Sequence, residues 1–231
     1  MAGTVVFDLD GTLADTAADL IAAANAALAA RGLDGLDPAA DAAIAFHGGR
    51  AMLREGYARA GDEFLIPPGA EDADLARLLE EYDANIAAQT RLYPGVEPAL
   101  SQLAADGHLL AVCTNKPEGL AEKLLRELGI RDAFAAMIGA DTLPVRKPDP
   151  MPYREAVQRA GGEVAESFLI GDTVTDAKTA AAAGVRVALV AFGPEGEDIR
   201  RLNPDALLRS YDDLPALALD WLIRPDMAAS I

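Results

Sequence analysis

The chain has 231 residues, 51% of them hydrophobic and 25% charged, enough for one large core or for a core carrying a smaller insert. Its 37 acidic and 20 basic residues leave a net charge of −17, a field that repels nucleic acid and anionic lipid, so neither is an expected partner. The one cysteine, Cys113, excludes an internal disulfide and fits a reducing compartment. The first residues have no basic n-region and reach a charge by Asp8, unlike a signal peptide. No uncharged apolar run approaches the roughly 18 residues of a membrane span. The cytoplasm is therefore the expected location, with monomer and homodimer both open.

Thr4–Phe7 is a short apolar run with β-branched residues and reads as a buried strand. It ends in Asp8-Leu9-Asp10-Gly11-Thr12. Residues 16–31 read as a helix stopped by Gly32. From about 33 to 92 only helical patterns follow, at 38–46, 49–60 and 72–89, separated by breaks such as Ile66-Pro67-Pro68-Gly69. After Tyr93-Pro94-Gly95 the pattern changes. Helices at 97–105, 117–128, 151–160 and 174–183 alternate with strands at 108–113, near 137–139, at 167–170 and at 185–190. A weaker strand and helix cover 206–221. Alternation of this kind implies an α/β fold, a doubly wound, Rossmann-like parallel sheet covered on both faces. The expected architecture is a discontinuous core of residues 1–15 and 93–231, with an inserted all-helical domain of residues 16–92.

Four polar clusters fall where strands end: Asp8 and Asp10; Thr114-Asn115-Lys116; Lys147 within Arg146-Lys147-Pro148-Asp149-Pro150; and Asp172 with Asp176 in Gly171-Asp172-Thr173-Val174-Thr175-Asp176. In a parallel sheet these ends share one edge, where ligands bind. Clustered carboxylates repel and need a counter-charge. A hard divalent cation such as Mg²⁺, which takes a few carboxylate oxygens plus phosphate and water, supplies it, and Lys147 adds a fixed charge. The set lacks the histidines and cysteines of a zinc site. These parts suit phosphate-ester hydrolysis. One aspartate can act as nucleophile, and a neighbouring carboxylic acid can protonate the alkoxide leaving group. Lysine, metal and backbone N–H groups can stabilise charge on the phosphoryl oxygens. Since the protein's overall charge repels phosphate, the site must provide its own positive charge. Asp-x-Asp-x-Thr alone is a weak signal; placed after an N-terminal strand, with Lys147 and Gly-Asp-x-x-x-Asp following in order, it is strong.

Over nearly its full length the chain resembles the haloacid dehalogenase superfamily of hydrolases. Asp8-Leu9-Asp10-Gly11-Thr12 is similar to that family's first motif, Thr114 to the hydroxyl of the second, Lys147 to the lysine of the third, and Asp172 and Asp176 to the acids of the fourth. The resemblance implies Asp8 as nucleophile, Asp10 as general acid/base, and Mg²⁺ held by Asp8, the Asp10 backbone carbonyl and Asp172, with Asp176 in support. It implies phosphate binding by Asp8, Leu9, Asp10, Thr114, Asn115 and Lys147, and a helical cap in the insert. Thr114-Asn115-Lys116 and Lys147-Pro148-Asp149-Pro150 are most similar to phosphoglycolate phosphatases, which implies a small phosphate-ester substrate. The cap segment Phe46-His47-Gly48-Gly49-Arg50 departs from the asparagine-containing glycine loop usual there, so the substrate stays open. His47, Gly49 and Arg50 are the cap residues expected to touch it, Arg50 through an anionic leaving group.

Plainer roles stand beside these. Asp172 and Asp176 also suit a helix N-terminus, His47 a structural role and Arg50 a solvated helix face. Cys113 reads as core, His108 as a surface or satisfied histidine, and Glu195-Gly196-Glu197-Asp198 as solvated loop. A phosphosugar mutase needs the same catalytic set. A dehalogenase of this family would lack the second acid, Asp10. A phospho-accepting signalling receiver would be shorter and have no insert. A catalytically dead binding module is disfavoured, because every expected catalytic position is filled.

Overall fold

The structure is a computed structural model that describes residues 3–61 and 67–223. Residues 1–2, 62–66 and 224–231, which include Ile66 and the ends assigned above to the core, lie outside the described residues. The chain divides into two compact units, Met1–Ala14 with Leu92–Ile231, and Asp15–Arg91.

In chain order the strands are β1 (Thr4–Phe7), β2 (Ala14–Asp15), β3 (Arg91–Leu92), β4 (Leu109–Cys113), β5 (Ala136–Ile138), β6 (Ser167–Gly171), β7 (Arg186–Val190) and β8 (Ala206–Leu208). Six of them form one sheet in the order β5-β4-β1-β6-β7-β8, with every pair parallel. All four residues of β1 are buried, which is why it reads as continuous apolar sequence with no alternation. Phe7 stands level with Val112 of β4 on one side and Ile170 of β6 on the other. The residues following these three strands therefore emerge together at one edge.

Helices α5 (Val96–Ala105), α6 (Glu118–Glu127), α7 (Met151–Arg159) and α8 (Val174–Ala183) connect the strands. Tyr153 and Ala156 of α7 and Ala180 of α8 pack with Val6, Ile138 and Leu169 in one buried cluster. Each large aliphatic side chain buried this way contributes about 1.5–3 kcal/mol. Cys113 lies in the same cluster, as expected, and burial raises its thiol pKa to about 12. His108 is buried and satisfied, its Nδ1 accepting from the Gly3 N–H at 3.3 Å.

The second unit holds α1 (Ala17–Ala29), α2 (Ala42–Ala45), α3 (Gly49–Arg59) and α4 (Ala70–Ala84). A Cβ at Gly56 would lie 2.4 Å from Leu28 Cδ1, so this glycine lets α3 approach α1 closely. Tyr57 Oη and Arg31 Nε both donate to the buried Asp74.

Several elements differ from the sequence reading. Among them, β2 and β3 pair in a two-stranded sheet where that reading had no strand, and they place Arg91, of the segment read as all-helical, in a strand. The helix expected at 38–46 shrinks to α2, because Asp37 accepts from the Ala39 and Ala40 N–H groups and Asp41 from the Asp37 N–H. Short acidic side chains compete here with the helix for backbone donors. The helix expected to reach residue 89 ends at Ala84, and Asp19 takes the N–H groups of Gln89 and Thr90. The acidic run 195–198 runs into a 3₁₀ helix, Gly196–Leu202, with Glu197 bound to Arg200 and Arg209 and Glu195 paired with Arg201.

Candidate active site

The turn after β1 is held by backbone bonds: Leu9 O accepts from the Leu13 N–H at 3.0 Å, and the Gly11 N–H donates to Ala14 O at 2.9 Å. Gly11 has φ +78, a conformation that costs glycine little. This turn presents Asp8 and Asp10, two residues apart, at the sheet edge.

Asp8 is buried; its Oδ1 accepts from the Leu9 N–H at 2.7 Å and its Oδ2 lies 3.0 Å from Lys147 Nζ. Lys147 also donates to Asp176 Oδ1 at 2.6 Å, bridging two acids from different strand ends. Burial drives the Asp8 carboxyl up to about 6, with Asp176 adding to the rise and Lys147 opposing it. Burial would discharge Lys147, but the carboxylates of Asp176 and Asp8 outweigh it and hold the lysine above its ordinary pKa. Asn115 Nδ2 donates to Lys147 O at 3.0 Å and so ties the lysine loop to the end of β4. Thr114 is buried beside it, its hydroxyl accepting from the Lys116 N–H at 3.2 Å.

Asp176 closes a capping box with Thr173 at the start of α8. Its Oδ2 accepts from the Thr173 hydroxyl at 2.6 Å and the Thr173 N–H at 3.1 Å. Asp176 is thus a helix-terminal acid, as its plain reading expects, and also pairs with Lys147. A Cβ at Gly171 would lie 2.4 Å from Asp176 Cβ, so that glycine makes room for it.

Asp172 is buried, and burial together with Asp176 and Asp8 raises its carboxyl well above the usual range. Its Oδ1 accepts from Thr12 Oγ1 at 2.8 Å, while its buried Oδ2 has no hydrogen-bond partner among the described residues. Asp8, Asp172 and Asp176 each offer one carboxylate oxygen, and these oxygens lie within 4.8 Å of one another. An all-oxygen set with an orphaned buried acceptor fits a hard divalent cation. Asp176, whose two oxygens are engaged by Lys147 and Thr173, fits the supporting role.

The eight core residues singled out from the sequence therefore lie in one unit, linked through Lys147 and the turns beside it. Two participants were not assigned roles from the pattern. Thr12 orients Asp172, and its own carbonyl accepts from Tyr211 Oη at 2.9 Å across 199 residues of chain, a link no local signal carries. Lys116 is buried with Nζ 2.9 Å from Asp10 Oδ1, a placement its neighbours in the motif could have flagged.

The cap candidates belong to the helical unit. His47 is exposed, and Gly49 has a packing reason: a Cβ there would lie 2.8 Å from Leu75 Cδ1. Arg50 donates to Glu71 at 3.0 Å and to Asp72 at 2.6 Å.

Residues 5–190 match the family model of haloacid dehalogenase-like hydrolases. The chain is 40% identical over 220 residues to a phosphoglycolate phosphatase of Mesorhizobium japonicum, covering 95% of this chain and 96% of that one. It is 40% identical over 222 residues to one of Caulobacter vibrioides, covering 95% and 92%. Among solved structures, a predicted phosphoglycolate phosphatase from Haemophilus somnus superposes with a TM-score of 0.83 at 26% identity, covering 94% of this chain and 97% of that one.

Proposed function

Since the chain belongs to the haloacid dehalogenase-like hydrolase family and is a phosphoric monoester hydrolase, we propose that it cleaves 2-phosphoglycolate or a close analogue through a phosphorylated Asp8, with Mg²⁺ as cofactor. The observation that carries this reading is the buried Lys147 bridge between Asp8 and Asp176, beside an Asp172 with one unsatisfied oxygen. It is a site with a nucleophile, a fixed cation and a place for a metal.

Asp8 attacks phosphorus, forming an Asp8 acyl phosphate as the bond to the leaving oxygen breaks. Asp10 gives that oxygen its proton, releasing glycolate. Water then attacks the same phosphorus while Asp10 takes its proton, the bond from phosphorus to Asp8 breaks, and Asp8 is regenerated as inorganic phosphate is released. Lys147, the Leu9 and Asp10 N–H groups, the Thr114 hydroxyl and the Asn115 segment hold the phosphoryl oxygens. Asp8, the Asp10 carbonyl and Asp172 would hold Mg²⁺, and Asp176 would keep Lys147 and the start of α8 in place. When bound, Mg²⁺ supplies positive charge that lets a carboxylate approach a phosphate dianion. In this reading the helical unit takes the part of the family's cap. The names of the relatives support the choice of 2-phosphoglycolate.

Phosphate release from 2-phosphoglycolate tests the reading. Activity should vanish in excess chelator and return with Mg²⁺, while Ca²⁺, with looser coordination, should support little turnover. Full activity in excess chelator would contradict it.

A further inference from the structure

The proposed substrate carries a second anion, a carboxylate next to the ester oxygen, and a selective site needs a cation for it. Arg50, the candidate from the sequence, has its guanidinium divided between Glu71 and Asp72. Lys147 is committed to Asp8 and Asp176. The core holds another buried ammonium, that of Lys116, whose side chain is 4% exposed.

Lys116 sits on a well-fixed loop. Its N–H donates to Thr114 Oγ1 at 3.2 Å and its carbonyl accepts from the Ala140 N–H at 2.9 Å, while Asn115 anchors to Lys147 O. From there its Nζ reaches Asp10 Oδ1 at 2.9 Å. If Asp10 serves the leaving oxygen, a group bonded to one Asp10 oxygen stands beside the first atoms of the leaving group. In 2-phosphoglycolate one methylene separates the ester oxygen from the carboxylate, whose oxygens lie roughly 3–4 Å from it by ordinary bond lengths. An ammonium has three donors and can serve Asp10 and a substrate carboxylate together. A charge-assisted bond of this kind is favoured where both groups are shielded from water.

We propose that Lys116 is a specificity-determining residue that binds an anionic group one carbon from the ester oxygen. This rests on the phosphatase reading above and adds to it the residue that reads the leaving group: the carboxylate of a short 2-hydroxy acid is recognised by Lys116 of the core. An anion-reading cation in the helical unit is not required.

The test compares two esters with the same phosphate and first carbon, 2-phosphoglycolate and 2-hydroxyethyl phosphate, in wild type and Lys116→Met. The ratio of their kcat/KM values should fall about 10–100-fold in the variant, the effect expected for one lost hydrogen bond between charged groups. Lys116→Arg, which keeps the charge, should recover part of the ratio. A ratio that stays constant overturns the inference, whether both rates fall together, as a purely structural or Asp10-positioning role predicts, or neither changes. If Lys116→Met does not fold, Lys116→Gln keeps a donor for Asp10 without the charge and should show the same fall. Wild-type protein that hydrolyses neither ester with Mg²⁺ removes the phosphatase reading and this inference together, and is seen before any variant is made.

Discussion

The two units of this chain treat buried acid in opposite ways. In the helical unit every buried acid among the described residues is satisfied by protein donors: Asp41 and Asp74 by arginines, and Asp19 by the Gln89 and Thr90 N–H groups and the Thr90 hydroxyl. Arg59 and the Asp37 N–H hold Asp41 below the usual carboxylate range, and Arg54 and Arg50 do the same for Glu71. Burial pulls Asp74 up, but hydrogen bonds from Arg31 and Tyr57 outweigh it and keep it low. In the core, Asp8, Asp10, Asp172 and Asp176 share two ammonium groups, those of Lys116 and Lys147, so negative charge remains in excess. There burial and mutual repulsion push Asp8 and Asp172 up. Acids that serve the fold are satisfied by the fold. Acids left short of counter-charge mark a candidate site, and in the proposed reading a cation makes up the deficit.

The largest expected effect is on chemistry. Asp10→Asn should slow alkyl esters such as 2-phosphoglycolate by about 10²–10⁴-fold, the usual share of general acid catalysis, and slow an activated aryl phosphate much less. Equal loss on both would mean that Asp10 does not protonate the leaving group.

Stability should respond with opposite signs in the two units. Asp172→Asn removes one of the repelling buried acids while keeping an acceptor for Thr12. In chelator it should stabilise the protein by about 1 kcal/mol, as relief of a functional strain commonly does. It should also abolish the rise in melting temperature that Mg²⁺ gives the wild type. Asp74→Asn strips a charge from Arg31 and should destabilise by about 1–2 kcal/mol, less than a fully buried pair because Arg31 is partly exposed. Denaturant midpoints measured without metal decide between them, and the same sign for both would erase the comparison.

How much of this was legible in the sequence depends on how local each cause is. The strands β1, β4 and β6 lie in a two-faced interior and read as apolar runs. The limits of α8 match the pattern to the residue, because the Thr173 capping box and the left-handed Gly184 that bound it are local. β2 and β3, two residues each, are too short to show a period. The loss of half the helix expected at 38–46 turned on side-chain bonds from Asp37 and Asp41. At the site, Asp8, Asp10, Asp172 and Asp176 were readable because each follows a strand or opens a helix, and Lys147 because of its proline-rich loop, Arg146-Lys147-Pro148-Asp149-Pro150. The bond from Tyr211 to Thr12 and the ion pair of Lys116 with Asp10 depend on tertiary approach. The pairing of Arg50 with Glu71 and Asp72, 21 and 22 residues away, was equally hidden.

The central claim is that the acid excess of the core serves a nucleophile, Asp8. The most direct test is rapid acid quench of a single turnover with 2-phosphoglycolate labelled at phosphorus. The account predicts label on the chain before phosphate is released, lost on treatment with hydroxylamine as an acyl phosphate should be, mapping to Asp8 and absent in Asp8→Asn. Phosphate release with no labelled chain at any quench time, or label that persists in Asp8→Asn, would contradict it.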